Sequence, residues 1–403
     1  MLSDEVIDRV IERLVLRIEE GNSYVLEQIG KSIKEIGTLS PSKARQLGQI
    51  LKYGGDYNKI TQKLAEITEL NIKEIYEIFE EVAKSDYQFA KQFYDYKGVN
   101  YIPYEENIAL KNQVRALASI TAGEYLNMAN TLAFTKRVNG KIVYTDLSRT
   151  YQETIDKAIL SVSQGKNTFQ EEMYKTIKEF AESGIKTVNY ATNRSMRLDS
   201  AVRMNLQTGL RDLRYETQKQ FGEEFGADGY EITAHINPAP DHEEVQGRQF
   251  SISEYNNLQI NGVARDYKNK IIDIRNKHGH RPIREYNCRH YEFPIVLGVS
   301  KPEYSSDELQ EIIDNNHDGF ELDGKHYTNY EGTQLQRHLE VAIREQKDQQ
   351  IIGRAADNMQ LVDEAQKKIT QLTRKYRELS EVSGLPTKMQ RMRVPGYRRT
   401  KVK

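Results

Sequence analysis

The sequence predicts an α+β fold that is mainly α, and three observations carry that expectation. Apolar residues recur at steps of three and four, as in Val6, Ile7, Val10, Ile11, Leu14, Val15 and Ile18, which draws one apolar stripe along a helix. Charged residues make up 29% of the chain against 38% hydrophobic, a balance that suits two-faced helices more than a large buried sheet. The third observation is a stretch that loses the helical period, residues 229–304. It holds His235, His242, His278, His280 and His290, five of the eight histidines, and Cys288, the single cysteine.

Taken in order, the first stripe predicts a helix over 4–20, broken at Gly21-Asn22. Ser40-Pro41 reads as an N-cap followed by proline at the first helical position, opening a helix to Tyr53. Helix is expected again from Asp56 to Phe93, with a break near Asn71. Tyr94, Tyr96, Tyr101 and Tyr104 crowd the next loop and read as a packed aromatic crossing between helices. Helix is expected over 106–134. Asn139-Gly140 between β-formers then signals a hairpin over 135–147. Two helices follow, over 148–164 and 168–183, and a long one over 194–225 that Gly222, Gly226 and Gly229 terminate.

Residues 230–236 read as a strand, 253–258 as a short helix and 271–274 as a short strand. A helix begins at Ser305-Ser306, and a small hairpin spans 320–327. From Glu331 to Val382 the chain is nearly continuous polar helix with Gly353 as a joint, either a helical hairpin or an arm that packs on a neighbour.

The expected organisation is therefore a helical scaffold over 1–228 with its small hairpin, and a His/Cys-rich module over 229–304, small α/β or mostly β. A short helix, hairpin and long helical arm follow over 305–384, then a basic tail over 385–403. The tail carries Lys388, Arg391, Arg393, Arg398, Arg399, Lys401 and Lys403 and no acid. Such a segment is either a solvated, mobile end or a contact for DNA phosphates or an acidic partner.

A net charge of −1 over 403 residues means that any attraction to nucleic acid must come from local patches. One cysteine leaves no internal disulfide. The opening Met1-Leu-Ser-Asp-Glu is acidic and no long apolar run follows, so neither a signal peptide nor a membrane span is expected, and the chain is expected to be made in the cytoplasm.

The chemistry-bearing residues are His235, His242, Cys288 and His290, with His280 as an alternative. Zinc takes Cys sulfur and His nitrogen four at a time, and a segment poor in apolar periodicity gains from a metal staple. The compact C-x₂-C spacing of common zinc sites is absent. The plainer reading is a buried cysteine and hydrogen-bonded histidines. A Cys–His nucleophile can be drawn from Cys288 with His290 or His242, but no surrounding motif supplies an oxyanion hole. A Walker-type loop, a G-x-G-x-x-G turn and H-E-x-x-H are all absent, so no enzyme is expected.

Several short motifs resemble those of the phage minor capsid protein 2 family. They are Arg197-Leu-Asp199 through Asn205, Ala234-His235, Pro240-Asp241-His242 with Gln246-Gly247, Asn287-Cys288-Arg289-His290, and Phe293-Pro294 with Gly298. The chain is more distantly similar to head-morphogenesis proteins of Mu-like phages, whose Cys-Arg-Cys element Cys288-Arg289-His290 matches with His for the second Cys. The resemblance implies a virion component that contacts the portal protein or the major capsid protein and assists head assembly, DNA packaging or ejection, with packaged DNA as a further partner. Two alternatives stay open. One is an ADP-ribosyltransferase-like or other effector domain in 229–304, on the triplet His290-Tyr291-Glu292. The other is a DNA-binding packaging accessory protein acting through the tail.

Overall fold

The computed structural model describes residues 4–400 apart from 54, 99, 139–140, 184, 190–193, 267, 280, 286–287 and 289. Helix α1 (Asp4–Gly37) runs through the middle of the scaffold. Its stripe continues past Ile18 to Val25, Leu26, Ile29, Ile33 and Ile36, all buried. The expected break at Gly21-Asn22 does not occur. A Cβ on Gly21 would stand 3.1 Å from Ile67 Cδ1, so glycine there lets a neighbouring helix approach. Asn22 is buried, donates to Asp348 and accepts from the Ile185 backbone N–H. Both residues answer to packing, not to chain reversal.

Helices α2 (Pro41–Tyr53) and α3 (Gly55–Lys97) follow. Helix α3 is also unbroken, because Asn71 is buried and bonded across to Tyr125 and to Arg17. The tyrosines form the packed crossing. Tyr101 stacks on Tyr87 with ring centroids 4.9 Å apart, and Phe221 closes the far side at 5.5 Å. The side chain of Tyr96 lies outside the described residues.

Helix α4 (Ile108–Asn130) gives way to strands β1 (Leu132–Val138) and β2 (Lys141–Asp146), so the hairpin begins earlier than the expected 135. Its Asn139-Gly140 turn lies outside the described residues, but the register Val138↔Lys141 to Ala133↔Asp146 is an antiparallel hairpin. Helices α5 (Leu147–Gln164) and α6 (Lys166–Ser183) come next. Strands β3 (Lys186–Asn189) and β4 (Arg194–Arg197) then complete a sheet of order β2-β1-β3-β4. Here the sequence reading needs correction: residues 194–197 are strand, and helix α7 covers Leu198–Phe225. Gly226 ends it in the left-handed conformation, φ 70°, where a side chain would be strained.

Helices α1 and α3–α7 enclose one hydrophobic core. A second, smaller core lies within the segment after α7 and is built on Ile232, Val245, Phe250, Tyr255, Leu258 and Ile274. Strand β5 (Gly229–Ile232) sits between β6 (Gln249–Ser251) and β9 (Glu292–Ile295), both antiparallel to it. Helix α8 (Ile252–Asn261), opened by a Ser251/Glu254 capping box, leads to β7 (Val263–Arg265), β8 (Ile271–Asp273) and the short α9 (Ile274–His278).

Helix α10 (Ser306–Asp318) and the β10–β11 hairpin (Phe320–Leu322, Lys325–Tyr327) precede α11 (Asn329–Ala355) and α12 (Met359–Ser383). These last two helices form the hairpin alternative, with α11 packed along α1 and α6. The joint falls at 356–358, and Gly353 lies inside α11 against Leu361. The tail is not a free end over its described residues. Leu385, Met392 and Val394 are buried, and a 3₁₀ turn at Met389–Met392 lies against α11.

One polar node ties these parts together. Arg197 donates to Glu19, Asp199 and Asp348, each at 3.1 Å, and Arg344 reaches Asp199 at 3.1 Å. All five are buried. The node joins α1, the start of α7 and α11. The Arg197-Leu-Asp199 motif is thus the centre of a buried ion cluster.

Candidate metal centre

His242, Cys288 and His290 converge in the small module. Pro238-Ala239-Pro240 leads into a turn in which the Ala239 carbonyl accepts from the N–H groups of His242 and Glu243. Gly247, at φ 66°, ends that turn where a Cβ would strike Leu309. This folds His242 back over the strand ends. Cys288 is set by its N–H to the Glu285 carbonyl, and His290 precedes β9.

The Cys288 Sγ lies 3.5 Å from His242 Nδ1 and 3.6 Å from His290 Nδ1. The ligand atoms of all three lie within 4.8 Å of one another, and all three residues are buried. Each imidazole is oriented from behind. His242 Nε2 is 2.6 Å from the Arg281 carbonyl, an acceptor only, so Nε2 carries the proton. His290 Nε2 is 2.9 Å from Gln246 Oε1, which also accepts the His235 backbone N–H at 2.9 Å. In the neutral form of each ring Nδ1 is therefore the unprotonated nitrogen, and both face the sulfur.

One thiol hydrogen can be donated along one of these S···N vectors, not both. A divalent cation satisfies all three atoms at once. Bonds of about 2.3 Å to sulfur and about 2.0–2.1 Å to nitrogen place tetrahedral S and N ligands about 3.6 Å apart, the spacing found. Burial, then the neighbouring His235 and His242, holds His290 well below its ordinary pKa and keeps it neutral. Burial pushes the Cys288 thiol up, a shift that a bound cation reverses by stabilising the thiolate.

The remaining site residues are placed as follows. His235 lies outside the close group, its ring centroid 4.7 Å from that of His290. His280 lies outside the described residues. Lys388 and Arg391 line the cavity next to the His/Cys group. Arg393, Arg398 and Arg399 are exposed, and Lys401 and Lys403 lie outside the described residues. Glu292 is fully buried, bonded by Tyr255 and paired with Arg284 at 2.8 Å, and shares neither partner with His290. Two contributors had no role assigned from sequence: Gln246, which orients His290, and the Arg281 carbonyl, whose residue is held by Asp241 through two bonds of 3.1 Å. The Gln246-Gly247 motif pointed at the first. A backbone carbonyl has no sequence signature.

The described residues thus form a helical scaffold locked by a buried ion cluster and carrying a small module with a buried His-Cys-His group. Residues 2–381 match the family model described as phage minor capsid protein 2, and the chain belongs to that family. It is accordingly a phage structural protein with a place in the virion. No curated protein and no solved structure matches the chain. Among the described residues no helix is long and apolar enough to cross a membrane.

Proposed function

We propose that this protein is a minor head component that contacts the portal protein or the inner face of the major capsid protein, and that it assists head assembly, DNA packaging or ejection. Family membership across residues 2–381 is the observation that carries the reading. Assembly would draw on chains made in the host cytoplasm. Stiff helices suit docking against a larger shell. Within the module, zinc would be held by His242, Cys288 and His290, with His235 as the fourth ligand. Its role would be to staple a segment whose core is small. Mass spectrometry of purified virions and proheads, with portal co-purification, tests the reading. The protein should be present in both particles, and its absence from both would refute the proposal.

A second reading, contact with packaged DNA, is favoured by the exposed Arg393, Arg398 and Arg399. It predicts salt-sensitive binding that is lost when residues 385–403 are removed. The ADP-ribosyltransferase-like reading gains no comparable support, because the Glu292 carboxylate is engaged with Tyr255 and Arg284 inside the module.

A further inference from the structure

Two adjoining cavities of about 460 and 210 Å³ meet beside the His/Cys group and share His235, Cys288, Arg337, Lys388 and Arg391 in their walls. Together they form one cleft between the module, α7, α11 and the tail. Its lining carries six cations, Arg211, Arg214, Arg281, Arg337, Lys388 and Arg391, against two carboxylates, Asp8 and Glu340. Further carboxylates stand behind the wall. Asp241 holds Arg281, Asp86 lies 3.2 Å from Arg214, and Glu12 lies 4.0 Å from Arg391 while also pairing with Arg203. Counting these and Arg203, seven cations face five carboxylates, and the excess is positive.

The cations come from four parts of the chain: α7, the loop after α9, α11 and the tail. A charge excess in a half-enclosed, low-dielectric cleft focuses the field on whatever enters. Guanidinium groups arrayed around a space of this size suit tetrahedral oxyanions, which accept paired N–H donors. Tyr291 and Tyr330 add aromatic faces to the same walls.

We propose that this cleft binds a phosphate-bearing ligand, either a free phosphate or nucleotide or the end of a nucleic-acid strand. The site goes beyond the tail reading, because four of its six cations lie outside residues 385–403. It needs neither a bound metal nor an assembled particle, so its failure would leave the head-protein reading untouched.

The test uses the purified full-length chain, titrated calorimetrically with inorganic pyrophosphate, adenosine monophosphate and a short single-stranded oligonucleotide at low and high salt. The wild type should bind at least one probe saturably at one per chain. Arg337→Gln/Lys388→Gln should weaken binding tenfold or more, whereas Arg398→Gln/Arg399→Gln should leave it unchanged. Binding of the small probes alone assigns a free phosphate or nucleotide. Binding of the oligonucleotide in competition with pyrophosphate assigns a strand end. Protection of Lys388 from amine-reactive labelling by the bound probe reads the site in the wild type, should the double variant fold poorly. No saturable binding of any probe overturns the proposal, as does binding that survives the cleft variant or that leaves Lys388 unprotected.

Discussion

Cys288 Sγ and His242 Nδ1, separated by 46 residues in sequence, stand 3.5 Å apart in the module interior, and the ring nitrogen behind that contact is tied to the Arg281 carbonyl. That carbonyl fixes the tautomer, so the imidazole offers a lone pair and not a proton to the sulfur. The same logic operates through Gln246 on His290. Preset orientation from outside the ligand shell is how proteins hold metal-binding histidines.

The first prediction follows from this arrangement. Elemental analysis should find about one zinc per chain, and chelation should lower Tm by about 5 °C or more, as loss of a few kcal/mol does in a chain of this length. Cobalt substitution should produce a near-ultraviolet thiolate charge-transfer band, and Cys288→Ser should abolish it. Gln246→Leu should weaken metal affinity roughly 10- to 100-fold without removing a ligand. A metal-free preparation with the same Tm as a zinc-supplemented one would sink the idea.

Helix contact makes the second prediction. A Cβ on Gly30 would stand 2.7 Å from Ala355 Cβ and 2.8 Å from the Ile352 carbonyl oxygen, so α1 and α11 touch backbone to backbone there. Gly30→Ala should destabilise the chain by about 1–3 kcal/mol by forcing the helices apart. Gly123, inside α4, has nothing within 4 Å of the same position. Gly123→Ala should stabilise by about 0.5–1 kcal/mol through helix propensity alone. Equal effects in urea titrations would contradict the packing argument.

These glycines show where sequence reading succeeds and fails. Apolar stripes predicted the first half of α1 and the α11–α12 pair, because burial of one helix face writes its period into the chain. Gly21-Asn22 and Asn71 misled because punctuation residues look alike whether they break a helix or let another approach. Arg194–Arg197 was taken into α7 because four strand residues joined directly to a helix interrupt no period. The tail's cations were visible, but its anchors Leu385, Met392 and Val394 were not, since three spaced apolar residues among seven cations carry no periodic signal. In the module, His242, Cys288 and His290 were legible by residue type. Gln246 was visible only as part of a motif, without its role, and the Arg281 carbonyl was not legible at all, because both roles exist only once the turn has folded. The ion cluster was least legible of all, for Glu19, Arg197 and Asp348 are distant in sequence.

That cluster gives the third prediction. Arg197→Met strands three buried acids, Glu19, Asp199 and Asp348, with Arg344 as their remaining cation, and should cost about 3–5 kcal/mol. Arg197→Met/Asp348→Leu should cost clearly less than the sum of the two single changes, since it removes charge from both sides. Urea unfolding of the four-member cycle measures the difference. Strict additivity would mean that the two groups act independently, against their 3.1 Å contact.

The fourth prediction concerns pH, and it turns on which member of the cluster stays protonated. Burial, then Asp199, pushes Glu19 from its ordinary 4.5 up to about 8, because two arginines cannot balance three carboxylates. The sign follows from proton binding. Between about 4.5 and about 8 the folded state holds a proton that the unfolded state has released, so stability contributed by Glu19 is full below 4.5 and is lost as pH rises through 8. Asp199 works oppositely: held at about 2 chiefly by Arg344 and Arg197 against its own burial, it contributes above its ordinary 3.8 and loses that contribution as pH falls through 2. Burial draws the adjacent Lys347 down to about 8, so its effect raises stability between about 8 and 10.5, above the Glu19 window, whereas Asp348, raised by burial, adds to the decline at lower pH. Relative to Glu19→Gln, the wild type should therefore lose unfolding free energy between pH 5 and 8 with a slope approaching about 1.4 kcal/mol per pH unit, while the buried His290, held below its ordinary pKa, works in the opposite direction below about 6.5. Glu19→Gln, which mimics the protonated form, should match the wild type near pH 5 and flatten the decline. A variant that declines as steeply as the wild type would assign the lost proton to another group.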